Sequence, residues 1–182
     1  MTTPIQQNLA EKNKEYAASF TKGHLALPPA KKYAILTCMD ARIDPAAAFY
    51  EYECSYTTVF VQGIDLGDAH VIRNAGASAK DALRSLIISE QLLGTQEILL
   101  IKHTGCGMLT FGNDDARTLV EKNLGKEAGE EVKGLDFLAF PDLEEEVRKD
   151  VKWLAEQKTI PRQVTVSGWV YEVETGRVRR VE

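Results

Sequence analysis

The run Ile98-Leu99-Leu100-Ile101 constrains the fold more than any other feature. A short segment apolar on successive residues must be covered on both faces, which is the position of a central strand in a parallel sheet with helices on either side. A second run, Tyr33-Ala34-Ile35-Leu36-Thr37, follows a break at Pro28-Pro29 and leads straight into Cys38. His70-Val71-Ile72-Arg73 reads as a short strand ending at Asn74-Ala75-Gly76, and Ser55 to Gln62 has strand composition. Ser78, with Asp81 three residues on, is the N-cap of a helix that presents Ala82, Leu83, Leu86 and Ile87 on one face and stops at Gly94. After a polar stretch over 113–136, helical in part, Leu143, Val147, Val151 and Leu154 mark another amphipathic helix, running from Asp142 and ended by Pro161. Residues 164–173 form a last long strand, and Glu174-Thr175-Gly176 turns the chain back into 178–181.

This βαβαβ order with a terminal hairpin predicts one α/β domain over 1–182. Its expected architecture is a mainly parallel central β-sheet flanked by helices, with a C-terminal antiparallel edge hairpin and an N-terminal helical arm over 1–27. In that arm Ile5, Leu9, Tyr16 and Phe20 recur at separations of 4, 7 and 4, one stripe of a helix. The stripe either packs on its own domain or reaches a second subunit; the spacing leaves both open.

The 182 residues fit a single domain. With 22 Lys and Arg against 27 Asp and Glu the net charge is −5, so no basic field exists to hold a phosphate backbone and nucleic acid is excluded as a partner. The apolar runs are too short to span a bilayer and the start lacks the pattern of a secretory signal, so a cytoplasmic protein without membrane attachment is expected. Three cysteines, an odd count in a reducing compartment, do not make a disulfide framework.

Two apolar strands therefore end in metal-ligand residues, Cys38 and His103, and ligands of α/β sheets collect at the carboxyl ends of strands. Cys106 follows in His103-Thr104-Gly105-Cys106-Gly107, where flanking glycines let two side chains converge on one point. The 65 residues between Cys38 and His103 exclude a local finger and suit a site assembled by the fold. Two thiolates and an imidazole are a zinc donor set, and three protein ligands leave a fourth position open, the mark of a catalytic ion. Asp40 and Arg42 follow Cys38 at steps of two. A carboxylate there can accept a hydrogen bond from a water on the metal, whose pKa zinc lowers to about 7, and the guanidinium can hold the carboxylate ionised.

Cys38-Met39-Asp40-Ala41-Arg42, the segment Gly67 to Gly76 and His103 to Gly107, together with Ser167-Gly168-Trp169-Val170-Tyr171, resemble the β-class carbonic anhydrase family, including the closely similar carbonyl sulfide hydrolases. The resemblance implies Cys38, His103 and Cys106 as ligands of one Zn2+ per chain, Asp40 with Arg42 as the catalytic dyad, and reversible hydration of carbon dioxide by a zinc-bound hydroxide. It also implies a homodimer or a dimer of dimers (homotetramer), with the N-terminal helix wrapping the neighbouring subunit. In some members of the family the aspartate swings onto the zinc and closes the site.

Between Pro45 and Gly63 this chain is longer than the small family members, the added piece including Tyr50 to Tyr56 and Cys54, which matches no family ligand. His70 and His24 are read as a structural residue and an exposed loop residue. The alternative enzyme reading is hydrolysis of carbonyl sulfide or carbon disulfide, also small neutral substrates, by the same zinc chemistry. From a different class comes a closed zinc module with Asp40 as a fourth ligand, against which Arg42 argues, since a ligating aspartate needs no guanidinium clamp. A Cys38–Cys106 redox dithiol leaves His103 and Asp40 without roles.

Overall fold

The computed structural model describes residues 2–48, 51–52, 61–62 and 64–182. Five strands form one sheet in the order β4-β1-β5-β6-β7. They are β1 (Tyr33–Cys38), β4 (Ala69–Asn74), β5 (Glu97–His103), β6 (Thr165–Glu172) and β7 (Arg177–Arg180). β1 pairs in parallel with β4 and β5, β5 pairs in parallel with β6, and β7 returns antiparallel on the edge. The mainly parallel sheet with an antiparallel edge hairpin is as expected.

Each apolar run sits where double-sided coverage requires it. All six residues of β1 are buried, and from Ile98 onward β5 is buried at every position but the half-buried Leu99. One face carries Ala34, Leu36, Ile98 and Leu100 against α3 (Ala79–Gln91) and α6 (Leu143–Glu156), through Ala82, Leu86, Val147, Val151 and Leu154. The other carries Tyr33, Ile35 and Ile101 with Met108, Phe140 and Tyr171, and the two thiols lie in this second cluster. The sheet and α6 approach so closely that a Cβ on Gly168 of β6 would collide with Val147 Cγ1 and stand 2.9 Å from Val151 Cγ2.

Local signals match in most places. Ser78 caps α3, its Oγ accepting from the Asp81 N–H at 3.4 Å, while the Asn74 amide brackets Ser78 through bonds of 2.7 and 2.9 Å. Asp142 caps α6 by accepting from the Glu145 N–H at 2.8 Å. The stretch over 113–136 contains α4 (Asn113–Leu124) and α5 (Lys126–Glu131). His70 bonds Ser89 Oγ at 2.7 Å, and His24 is exposed.

One boundary is corrected: α6 stops at Glu156, ahead of Pro161, because Gln157 turns to extended backbone and its side-chain amide donates to the Trp153 carbonyl at 2.9 Å. Of the strand expected over 55–62, Val61–Gln62 (β3) pairs antiparallel with Glu51–Tyr52 (β2), after the short α2 (Pro45–Ala48). The rest of that strand, and Cys54, lie outside the described residues.

The N-terminal stripe is helical but uncovered by the other described residues. α1 (Pro4–Ser19) begins with a capping box between Thr3 and Gln6 and buries none of its residues. Ile5 is 82% exposed, Leu9 70%, Tyr16 55% and the adjoining Phe20 42%.

Candidate metal centre

Because β1 and β5 are adjacent and parallel, their carboxyl ends lie side by side and deliver Cys38 and His103 to one place. The tight turn after β5, with Gly105 at φ +60, brings Cys106 back to join them. The donor atoms of Cys38, His103 and Cys106 all lie within 4.8 Å of one another, and all three residues are buried.

Two details test whether this cluster fits a metal. The sulfurs are 4.0 Å apart, and tetrahedral zinc with Zn–S of about 2.3 Å separates two thiolates by about 3.8 Å. His103 Nδ1 meets the Thr104 carbonyl at 2.9 Å, which assigns the proton to that nitrogen and leaves a lone pair on Nε2. Nε2 is buried without a hydrogen-bond partner among the described residues. A buried, unsatisfied ring nitrogen beside two thiols is the donor set that zinc completes.

The hydrogen bond from Cys106 pulls the Cys38 thiol down to about 4 against the opposing effect of burial, and His103 and the backbone N–H groups of Asp40 and Gly76 add to it. Cys106 is pushed up in turn, first by the same bond and then by burial.

Asp40 and Arg42 stand at the rim. Asp40 Oδ1 accepts from the backbone N–H and the Nε of Arg42, both at 2.9 Å, and Oδ2 accepts from Nη2 at 2.7 Å. These bonds hold the Asp40 carboxyl well below the usual carboxylate range. Oδ2 is 3.7 Å from the free His103 Nε2, so the carboxylate reaches the centre while Arg42 grips it. Nη2 of Arg42 also donates to the Gly105 carbonyl at 3.0 Å, tying the dyad to the turn that carries Cys106.

Supporting residues surround the site that sequence reasoning did not single out. Arg73 donates to the carbonyls of Cys38 (2.9 Å) and Asp40 (2.7 Å), clamping the backbone between ligand and dyad. Thr104 donates to Glu174 at 2.8 Å and accepts from the Val173 N–H at 3.0 Å, which fastens the ligand turn to the C-terminal hairpin. The only advance signals were Arg73's place in the Gly67–Gly76 motif and a threonine between two metal-ligand residues.

Fold and site together define an α/β protein with a thiolate–imidazole metal centre at the carboxyl ends of two parallel strands. A family model described as carbonic anhydrase matches residues 33–178. Beta-carbonic anhydrase 1 of Mycobacterium tuberculosis (strain ATCC 25618 / H37Rv) is 38% identical over 170 residues, 93% of each chain. A carbon disulfide hydrolase of Acidithiobacillus thiooxidans is 31% identical over 169 residues, 85% of this chain and 79% of that protein. The solved structure of a carbonic anhydrase from Glaciozyma antarctica superposes with a TM-score of 0.87 at 43% identity, covering 100% of both chains. The chain belongs to the β-carbonic anhydrase family, whose enzymes use zinc.

Proposed function

We propose that this chain catalyses the reversible hydration of carbon dioxide to bicarbonate, with Cys38, His103 and Cys106 holding one zinc ion and Asp40 and Arg42 acting on the water that attacks. The observation that carries the reading is the convergence of two buried thiols and an unpartnered imidazole nitrogen within 4.8 Å, beside a carboxylate gripped by arginine. When bound, zinc supplies Lewis-acid chemistry, lowering the pKa of a water molecule to about 7 and so providing hydroxide near neutral pH.

This chain's own residues supply orientation. Asp40, kept ionised by Arg42, accepts a hydrogen bond from the attacking water and so aims its remaining lone pair. Arg42 keeps that carboxylate from turning onto the metal, which distinguishes an open catalytic centre from a closed zinc module. Nothing in a neutral linear substrate calls for a charged binding residue, and the proton released leaves through solvent at the exposed rim.

A second reading is hydrolysis of carbon disulfide or carbonyl sulfide at the same site. It is favoured by the 31% identity to a carbon disulfide hydrolase. Specificity between such substrates resides in the width of the approach to the metal. Rates on carbon dioxide, carbonyl sulfide and carbon disulfide, measured side by side with the zinc-loaded protein across about pH 6 to 9, separate the readings. Carbon dioxide is expected to turn over fastest. Faster turnover of either sulfur compound transfers the assignment to the second reading, and turnover of none leaves a closed zinc module.

On this reading residues 1–182 are one catalytic domain with 1–27 as an arm, and the working unit is a homodimer or a dimer of dimers. The support is physical: α1 leaves Ile5 and Leu9 in water, and a neighbouring subunit would cover them. No described helix is long and apolar enough to cross a membrane. Two thiols 4.0 Å apart that must stay reduced to hold a metal suit the cytoplasm.

A further inference from the structure

The residue before His103 is a lysine inside an otherwise apolar strand. Lys102 is 1% exposed and is the largest fully buried side chain among the described residues. Strand alternation places it on the face of the sheet opposite to His103. Its ammonium has three bonding directions and fills them: Asp150 Oδ2 at 2.9 Å, the Gly76 carbonyl at 2.8 Å and the Ala77 carbonyl at 3.1 Å. The ring of Phe140 lies 4.8 Å away. Asp150, on α6, is 4% exposed and also accepts from the Ala79 N–H at the start of α3, at 3.2 Å.

The carbonyls that Lys102 grips belong to an unusual turn. Gly76 has φ +71 and Ala77 φ +52, a left-handed backbone that alanine keeps only where its surroundings impose it. The turn is pressed against the segment after Cys106: a Cβ on Gly76 would stand 2.8 Å from Met108 Cγ and 3.1 Å from Phe140 Cε1. The turn follows Asn74, whose carbonyl accepts from the N–H of Met39, the residue after Cys38, at 2.9 Å, and the segment it presses on is closed by the Leu109 N–H donating to the Cys106 carbonyl at 3.1 Å. A chain of contacts thus runs from α6 through Asp150, Lys102 and the Gly76–Ala77 turn to the segments that carry Cys38 and Cys106. Buried ion pairs contribute little to stability relative to packed apolar residues, so stability alone is a weak reason for this one.

We propose that Lys102 is a positioning residue for the metal centre: balanced by Asp150, its ammonium holds the Gly76–Ala77 turn by both carbonyls and so keeps that turn seated against Met108, fixing the segments that carry Cys38 and Cys106. The proposal rests on Cys38, His103 and Cys106 being the zinc ligands. Lys102→Met keeps the apolar stem and removes the clamp; Lys102→Met/Asp150→Asn also avoids stranding a buried charge and keeps an acceptor for Ala79.

The experiment compares both variants with the parent for zinc affinity, by chelator competition, and for the thiolate-to-metal charge-transfer bands of the cobalt-substituted protein. Circular dichroism identifies the folded variants, and the double variant carries the test where the single one does not fold. The expected result is zinc binding about 10 to 100 times weaker, the range for removing outer partners of metal ligands, with shifted charge-transfer bands. A folded variant with the parent's zinc affinity and cobalt spectrum overturns the proposal, since a merely structural role moves the melting temperature alone. A parent that takes up no zinc overturns the ligand reading and this proposal with it.

Discussion

At the scale of single residues, the site divides into groups with chemistry of their own and groups that act by gripping backbone. That Cys38, His103, Cys106, Asp40 and Arg42 would stand together was legible because thiol, imidazole and a carboxylate–guanidinium pair are chemically distinctive and fall at strand ends. Arg73 and Lys102 were not, because their partners are carbonyls that only the folded sheet brings near them. Arg42 illustrates the first kind: its side chain is 52% exposed, so Arg42→Gln should leave the fold intact and its melting curve close to the parent's. On the proposed dyad role, the same substitution should lower kcat/KM for carbon dioxide by about 10² or more, since an aspartate without its clamp would no longer aim the water. Stopped-flow rates and a melting curve on the same preparation check both halves.

Glu90 shows a residue with no visible partner. It is 7% exposed on α3, neither carboxyl oxygen has a hydrogen-bond partner among the described residues, and burial pushes its pKa up to about 7. A raised folded-state value means the stability it contributes is fully present below its ordinary pKa of 4.5 and is lost as pH rises through about 7. The difference corresponds to about 3 kcal/mol between those limits. Glu90→Gln should therefore gain stability over the parent as pH is raised from about 5 to 8. Denaturant titrations at both ends of that range that show a constant difference would exclude the buried-carboxyl account.

At the scale of elements, boundaries follow capping chemistry where the cap is in the sequence and tertiary packing where it is not. Ser78 was read correctly as an N-cap because a short acceptor side chain meets the N–H three residues on, and Asp142 caps α6 in the same way. The end of α6 was placed at Pro161, whereas a side-chain bond from Gln157 closes the helix first. Gly168 sits inside a strand without a turn to explain it, and its reason is the closeness of Val147 and Val151 on α6. Gly168→Ala should cost about 1–3 kcal/mol by overpacking, measured as a lower denaturant midpoint with an unchanged slope.

At the scale of the whole molecule, the sheet buries its own surfaces on both faces, and the large apolar stripe of α1 is left over. On the oligomeric reading, Leu9→Glu should shift the protein to a smaller species in light scattering while circular dichroism stays that of the parent. Leu9 is 70% exposed within the chain, so the change disturbs no intramolecular packing. A variant with the parent's mass would remove α1 from the subunit contact.

The sequence by itself determined the class of fold and the donor set, because a doubly covered strand demands an uninterrupted apolar run and metal chemistry demands particular side chains at the ends of such strands. Only the tertiary structure decided that the sulfurs stand 4.0 Å apart, that Arg42 grips Asp40 beside the centre, and that Lys102 reaches the turn behind Cys38. Those are distances between residues far apart in the chain, set by strand order and by how closely helices pack on the sheet, and no local pattern carries them.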